Sequence, residues 1–268
     1  MGNQKVKTKK RAYHNIHYYD NSIYVLGGKE IKMNIKTDGL TYVWEYIQDK
    51  IEVLNINDQA IQVDNTNPHQ AANFASFSYK DNIIVMGGYL RTGTKGVKDF
   101  TSKIHLYNIT SGYWYELGNL PTPRETTGIL IDDKIYLIGG NDGKPITKIQ
   151  SYDLHTEIWE TEAELFSSLE RPAITCYENI IYFFEDRKMF TYDLKTQLLN
   201  EYQIDLNLKY SSMYYYDNKL YIFGGRVETP YSKTASSKVF TIEVENLKKT
   251  RPVRTKNFKK EITLAKVN

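Results

Sequence analysis

Five ten-residue segments of this chain line up with one another: "YDNSIYVLGG" (19–28), "YKDNIIVMGG" (79–88), "IDDKIYLIGG" (131–140), "YENIIYFFED" (177–186) and "YDNKLYIFGG" (216–225). Each opens on Asp, Asn or Glu at a turn and continues with β-branched or aromatic residues, the pattern of a strand. Four of them close on two glycines: Gly27-Gly28, Gly87-Gly88, Gly139-Gly140 and Gly224-Gly225. The fourth carries Phe184-Glu185 instead. Units that recur every roughly 40–60 residues and read as strands point to a radial array, not to a two-layer sandwich.

Each segment has strand candidates on both sides. Upstream lie "HNIHYY" (14–19), "NFASFSY" (73–79), "TTGILI" (126–131), "AITCY" (173–177) and "SSMYYY" (211–216). Downstream lie "DKIEVLNI", "SKIHLYNI", "TKIQSYDL", "RKMFTYDL" and "SKVFTIEV", and most units add a fourth strand such as "GYWYELG" (112–118) or "EIWETEA" (157–163). Every unit therefore reads as a four-stranded antiparallel meander. Such a sheet cannot bury two faces alone; packing sheets face to face around an axis covers them. Glycine at the end of the second strand then removes Cβ where a neighbouring sheet presses in and permits an exit at positive φ. No helix start follows these glycines, so a phosphate cradle does not fit.

Composition narrows the class. Hydrophobic residues make up 41% of the 268 and Tyr occurs 23 times, which favours β structure. Cys176 is the one cysteine, so no internal disulfide forms. No apolar run reaches the length of a membrane-spanning helix, and the basic N-terminus lacks the apolar core of a secretory signal. The net charge of +3 is uneven: residues 1–11 hold five Lys/Arg and no acid, residues 248–268 hold eight against Glu261, and the body holds 22 basic and 31 acidic residues. Cationic ends on an anionic body read as solvated tails or as contacts to an anionic partner. The Asn, Lys, Ile and Tyr abundance suggests an AT-rich, bacterial genome.

A Gly-Gly after the second strand, then a Tyr, then a Trp seven residues on, resembles the kelch repeat of the galactose oxidase/kelch-like β-propellers. Two units carry the whole set: Gly87-Gly88 with Tyr107 and Trp114, and Gly139-Gly140 with Tyr152 and Trp159. Unit four keeps Tyr192 but has Leu199 at the Trp position, and units one and five lack the pair. The resemblance implies an all-β, kelch-type propeller of four-stranded blades in one domain over 1–268, with blades near 11–70, 71–120, 121–165, 166–206 and 207–268. The five repeats make five blades or part of a six-bladed ring. "NFKKEITL" (257–264) is a candidate outer strand for unit five. The aromatic insert "KEIKMNIKTDGLTYVWEYIQ" (29–48) is either a cover over one face or a partner-contact loop.

In a kelch-like ring the residues before each innermost strand, and the loops after Gly-Gly, surround the channel mouth. Carried onto this sequence, those positions are Arg11, His14, His69, Arg124, Glu125, Arg171, Lys209 and Tyr210, with Arg91 and Arg226 from the loops. Converging cations would form a positive funnel for carboxylates, acidic peptides or acidic sugars. The other reading is that they brace adjacent blades. His14 and His17 are poorly spaced for a metal on a strand, and Cys176 has no base near it in sequence. Pairs such as Asp132-Asp133 and Glu185-Asp186 read as turn chemistry, as does Asn108 in "NIT". No catalytic, metal or cofactor set emerges, and no nucleic-acid motif.

Three functions remain open at this point. The first is a non-catalytic scaffold that binds a protein or peptide, acidic in character, through its channel-mouth loops. The second is a carbohydrate-binding or sugar-acid mutarotase-like propeller using Tyr89, Tyr210 and Glu125. The third is a module of a larger envelope protein. A complete chain would be cytoplasmic; a fragment would belong to the cell envelope or the exterior.

Overall fold

The computed structural model describes residues 8–35, 41–92 and 97–259. The chain divides into two compact units, Met1–Leu130 with Gly140–Lys144, and Ile131–Gly139 with Pro145–Asn268. In the first unit, β1 (Asn15–Tyr19) and β2 (Ser22–Leu26) turn through Asp20 and Asn21, both at positive φ. Two successive positive-φ residues make the hairpin turn whose twist suits antiparallel strands, hence the Asp-Asn in the sequence. β3 (Lys29–Ile35) and β4 (Thr41–Ile47) form a separate hairpin, and β5 (Ile51–Asn55) and β6 (Ile61–Asp64) complete blade one in the order β1-β2-β5-β6. Blade two repeats the plan with β7 (Ala75–Tyr79) and β8 (Asn82–Met86), a hairpin of β9 (Tyr89–Thr92) and β10 (Lys98–Phe100), then β11 (Lys103–Asn108) and β12 (Trp114–Asn119).

Blade three is β13 (Gly128–Ile131), β14 (Lys134–Ile138), β15 (Ile146–Asp153) and β16 (Trp159–Leu169) in consecutive order. In the second unit, blade four comprises β17 (Ala173–Tyr177), β18 (Ile180–Glu185), β19 (Lys188–Asp193) and β20 (Leu198–Gln203). Blade five comprises β21 (Lys209–Tyr216) and β22 (Lys219–Glu228), with β23 (Lys233–Ala235) and β24 (Val239–Glu243) both paired to β22. A short helix, α1 (Val244–Lys249), and a last strand, β25 (Arg254–Asn257), follow. The architecture is the expected one, five antiparallel blades with almost no helix. No helix among the described residues is long and apolar enough to cross a membrane.

The repeat motifs have direct geometric causes. Tyr107 stands opposite Trp114, and Tyr152 opposite Trp159, across the third-to-fourth-strand hairpin. Seven residues is thus the hairpin's own spacing, and each pair of rings packs at 4.9 Å. Tyr192 faces Leu199 in the same register. The turn between those strands is closed by the Asn or Asp that ends the third strand: Asn55, Asn108, Asp153 and Asp193 each accept a backbone N–H two or three residues on. At Gly87, φ is +65° and an added Cβ would lie 2.6 Å from the Arg124 carbonyl oxygen, so both backbone and space demand glycine.

Two expectations change. The register puts Glu185 and Asp186, not Phe184 and Glu185, at the Gly-Gly positions of unit four, because Tyr177 pairs with Ile180 as Tyr216 pairs with Lys219. Asp186 and Arg187 are the two positive-φ residues of a tight turn that sends β18 directly back into β19. Nor does Asn257 open an outer strand of blade five: it ends β25. Val244 and Leu247 of α1 pack into the blade-four and blade-five core. The chain then emerges beside β20, where β25 pairs with it and Arg254 meets Glu201 at 2.6 Å. The rest of 257–264, from 260 on, lies outside the described residues.

The core lies between blade faces. In the first unit, Tyr24 and Leu26 of blade one pack with Ile83, Val85 and Tyr107 of blade two. In the second, Tyr182, Phe184 and Met189 of blade four pack with Met213, Leu220 and Ile222 of blade five. Burying each such side chain stabilises by about 1.5–3 kcal/mol.

Candidate functional site

The residues that follow the second strands, with those that precede the first strands, gather into one polar network in each unit. In the first unit, Lys29 of the β3–β4 hairpin pairs with Glu45, which also accepts from the Thr92 hydroxyl at 2.7 Å. Lys98 of β10 pairs with the buried Glu125 at 2.7 Å, and Asn73 donates to the same carboxylate at 2.8 Å. The ring of the buried Tyr89 lies between these cations, 5.5 Å from the Lys29 ammonium and 4.8 Å from that of Lys98. Burial pushes the Tyr89 hydroxyl above its usual range. Glu45 is held below the usual carboxylate range by Lys29 and Thr92, against a desolvation that opposes them.

In the second unit, the Arg226 guanidinium stacks on Tyr210 at 4.4 Å and pairs with Glu228 at 2.6 Å. The Tyr210 hydroxyl donates to Glu170 at 2.9 Å. Lys209 lies 3.6 Å from Glu228 and 3.9 Å from Asp186. Glu185 accepts the backbone N–H groups of Glu170 and Arg171 at 2.8 and 3.0 Å. Burial nevertheless pushes its carboxyl above the ordinary range, outweighing those two bonds. Glu170, Glu185, Asp186, Lys188 and Lys209 line a cavity of about 140 Å³ with Ser168.

Several of the side chains expected at the channel mouth are buried or paired. Arg11 is spent on the Gly27 carbonyl and on Glu52, both charged side chains being buried. Arg124 is buried, and desolvation pushes its guanidinium down to about 10. Glu125 is buried under Lys98 and Asn73. Arg171 is half-buried. Arg91 is exposed and pairs with Asp99 across its own hairpin at 3.1 Å. His14 sits against Gly28. His69 is buried, with Nε2 2.9 Å from the Gly87 carbonyl and Nδ1 2.9 Å from His105 Nδ1. The networks alternate in sign because cations drawn into a crowded interior need carboxylates to offset their desolvation.

Sequence reasoning missed Glu45, Lys98 and Glu185. Glu45 and Lys98 arrive on hairpins whose register no repeat announces. Glu185 had a signal: it is a carboxylate where the other units have glycine, and here it forms a cavity wall while only Asp186 serves the turn. Cys176 is half-buried, and desolvation pushes its thiol up to about 11, so it is not a thiolate near neutrality. Among the described residues no group of three or more His, Cys, Asp or Glu is placed to hold a metal ion.

Comparison with known proteins agrees with this geometry. The family description "Kelch motif" matches residues 126–165. Alpha-scruin of Limulus polyphemus is 27% identical over 157 residues, covering 54% of this chain and 16% of that protein. Kelch repeat and BTB domain-containing protein 2 of Cowpox virus (strain GRI-90 / Grishak) is 28% identical over 134 residues, covering 49% of this chain and 23% of that protein. The chain thus spans less than a quarter of the length of these curated relatives. The solved structure of YjhT superposes with a TM-score of 0.63 at 16% identity, over 88% of this chain and 82% of that one, a likeness of fold. Strand phasing, blade construction and the kelch-motif match agree on a kelch-repeat β-propeller.

Proposed function

We propose that this propeller is a non-catalytic scaffold that binds a protein or peptide through the hairpins emerging after its Gly-Gly positions. The β3–β4 hairpin carries the reading. Alternation along its strands sends Ile31 and Met33 to one face and Trp44 and Tyr46 to the other, and all four are exposed. An antiparallel hairpin normally hides one apolar face on the body it leaves. One that is apolar on both sides gains from being covered by a partner. Lys32 and Glu30 on the same hairpin supply a charged rim. The test is affinity capture with the wild type beside a Met33→Ser/Trp44→Ser variant of equal melting temperature. A protein held by the first and lost by the second supports the hairpin as the contact. The same proteins retained by both would overturn it.

A second reading rests on the 140 Å³ cavity of the second unit, where Lys188 and Lys209 oppose Glu170 and Glu185. Mixed charge of this kind suits a small ligand bearing both a carboxylate and hydroxyls, the chemistry of an acidic sugar. Thermal-shift titration with uronic acids tests it. A rise in melting temperature that disappears in Lys209→Ala supports that site, and no rise with any of them refutes it.

A further inference from the structure

Two tyrosines from neighbouring blades of the second unit are held face to face. Alternation along β21 sends Met213 and Tyr215 to the side that packs on blade four, and Tyr214 and Tyr216 to the other. Along β17, Ala173 and Tyr177 share a side in the same way and reach the same core. β17 and β21, the first strands of their blades, pack against each other. The rings of Tyr177 and Tyr215 therefore meet, with centroids 3.9 Å apart and planes 12° from parallel. Their hydroxyls share a hydrogen bond. That bond, with the charge of an ionised Tyr215 and of Glu178, pushes the Tyr177 hydroxyl up to about 12. Both rings are half-buried at the border of a core that holds the buried Tyr182 and Tyr202.

Stacked rings with bonded hydroxyls put the carbons beside one hydroxyl next to those beside the other. Those carbons share the unpaired electron once a phenol has lost an electron and its proton. Tyr177 has an acceptor for that proton, because the Glu178 carboxylate is also a hydrogen-bonding partner of its hydroxyl. Water takes the proton of Tyr215. Tyr24 and Tyr107 in the first unit show the contrast. Their rings are 6.4 Å apart and tilted by 57°, and the Tyr107 hydroxyl donates to Asp64 at 2.9 Å. Tyr231 shows another, for it is 98% exposed. An oxidant guided by exposure alone would choose Tyr231, whereas one guided by ring contact would choose Tyr177 and Tyr215.

We propose that Tyr177 and Tyr215 are an oxidative modification site, forming a dityrosine that joins blade four to blade five under a peroxidase and hydrogen peroxide. Each phenol gives up one electron and one proton. The two radicals form a carbon–carbon bond beside their hydroxyls, and the hydrogens on the joined carbons move to the oxygens. The two electrons and two protons released reduce one hydrogen peroxide to two waters. The joined rings twist out of the stack, which half-buried side chains allow. The link closes a loop containing β18, β19 and β20, so it restricts the unfolded chain as a disulfide does. The test treats the folded full chain with a haem peroxidase and hydrogen peroxide at several protein concentrations. Dityrosine fluorescence and mass spectrometry of proteolytic peptides map the products. The wild type should give a joined peptide pair containing Tyr177 and Tyr215, two hydrogen atoms lighter than its parts, in a monomer at every dilution. Tyr177→Phe and Tyr215→Phe should each abolish that pair, and Tyr24→Phe should keep it. Phe retains the ring, and circular dichroism checks each fold. The treated wild type should melt at a higher temperature than before treatment, and the Tyr177→Phe and Tyr215→Phe variants should not. Links formed through Tyr231 instead, or only between chains, would overturn the proposal. So would no link at all, or one that survives either substitution.

Discussion

The buried His69–His105 pair predicts a specific loss of stability in acid. His69 Nε2 faces the Gly87 carbonyl at 2.9 Å and must carry its proton there. Its Nδ1 is then an acceptor, so the His105 Nδ1 opposite it at 2.9 Å is the donor. A second proton on His69 would meet that N–H head on, and His105 would have to change tautomer. Burial, with the neighbouring His105, accordingly pushes the His69 imidazole down to about 3, and burial lowers His105 too. An unfolded histidine titrates near 6.5. Because the folded value is the lower one, the stability is complete above about pH 6.5 and is lost as pH falls toward 3. Proton linkage puts the loss from His69 alone at about 2 kcal/mol between about pH 7.5 and about pH 5. Chemical denaturation at both pH values, on wild type and His69→Gln, measures it. The wild type should lose about 2 kcal/mol more than the variant. Equal losses in both would refute the tautomer argument and the burial behind it.

Other outcomes follow from the same structure. Gly87→Ala should cost about 2 kcal/mol or more, since φ is +65° and the Arg124 carbonyl is 2.6 Å away. Gly112→Ala, at φ +72° with nothing near, should cost about 1 kcal/mol; thermal melts compare them. Phe184→Ala should destabilise by about 3–5 kcal/mol, and Phe223→Ala by much less, because only the former is fully buried in a monomer. Glu52→Ala should cost about 3–5 kcal/mol by leaving the buried Arg11 guanidinium without its carboxylate, and Glu52→Ala with Arg11→Met should recover part of that in urea titrations.

Most of the fold was legible because each blade states it locally. Turn Asp and Asn, alternating strands and Gly-Gly recur in phase, and the Tyr-to-Trp spacing is a hairpin register read directly. The site was less legible because its geometry depends on partners distant in sequence. Lys98 reaches Glu125, Tyr210 reaches Glu170, and Arg11 reaches Glu52 across 41 residues. Nothing in the local pattern distinguishes an arginine aimed at solvent from one pulled inward, so the burial of Arg124 and Arg11 is not legible there. The end of the chain was misread for a related reason. β25 looks like a continuation of blade five, but α1 turns the backbone away before it forms.

That last strand has a consequence for the order in which the second unit is built. β20 is an edge until β25 arrives, and the two are joined by the Arg254–Glu201 pair across 53 residues. During synthesis all of blade five must leave the ribosome before the edge is covered. The loop it closes contains a whole sheet, so closure waits on non-local contacts, which are slow to form. Until then blade four presents unpaired backbone groups along β20, open to pairing with another nascent chain. The final described residues therefore act late in folding as a seal, and chains released before Arg254 should aggregate where the full chain does not.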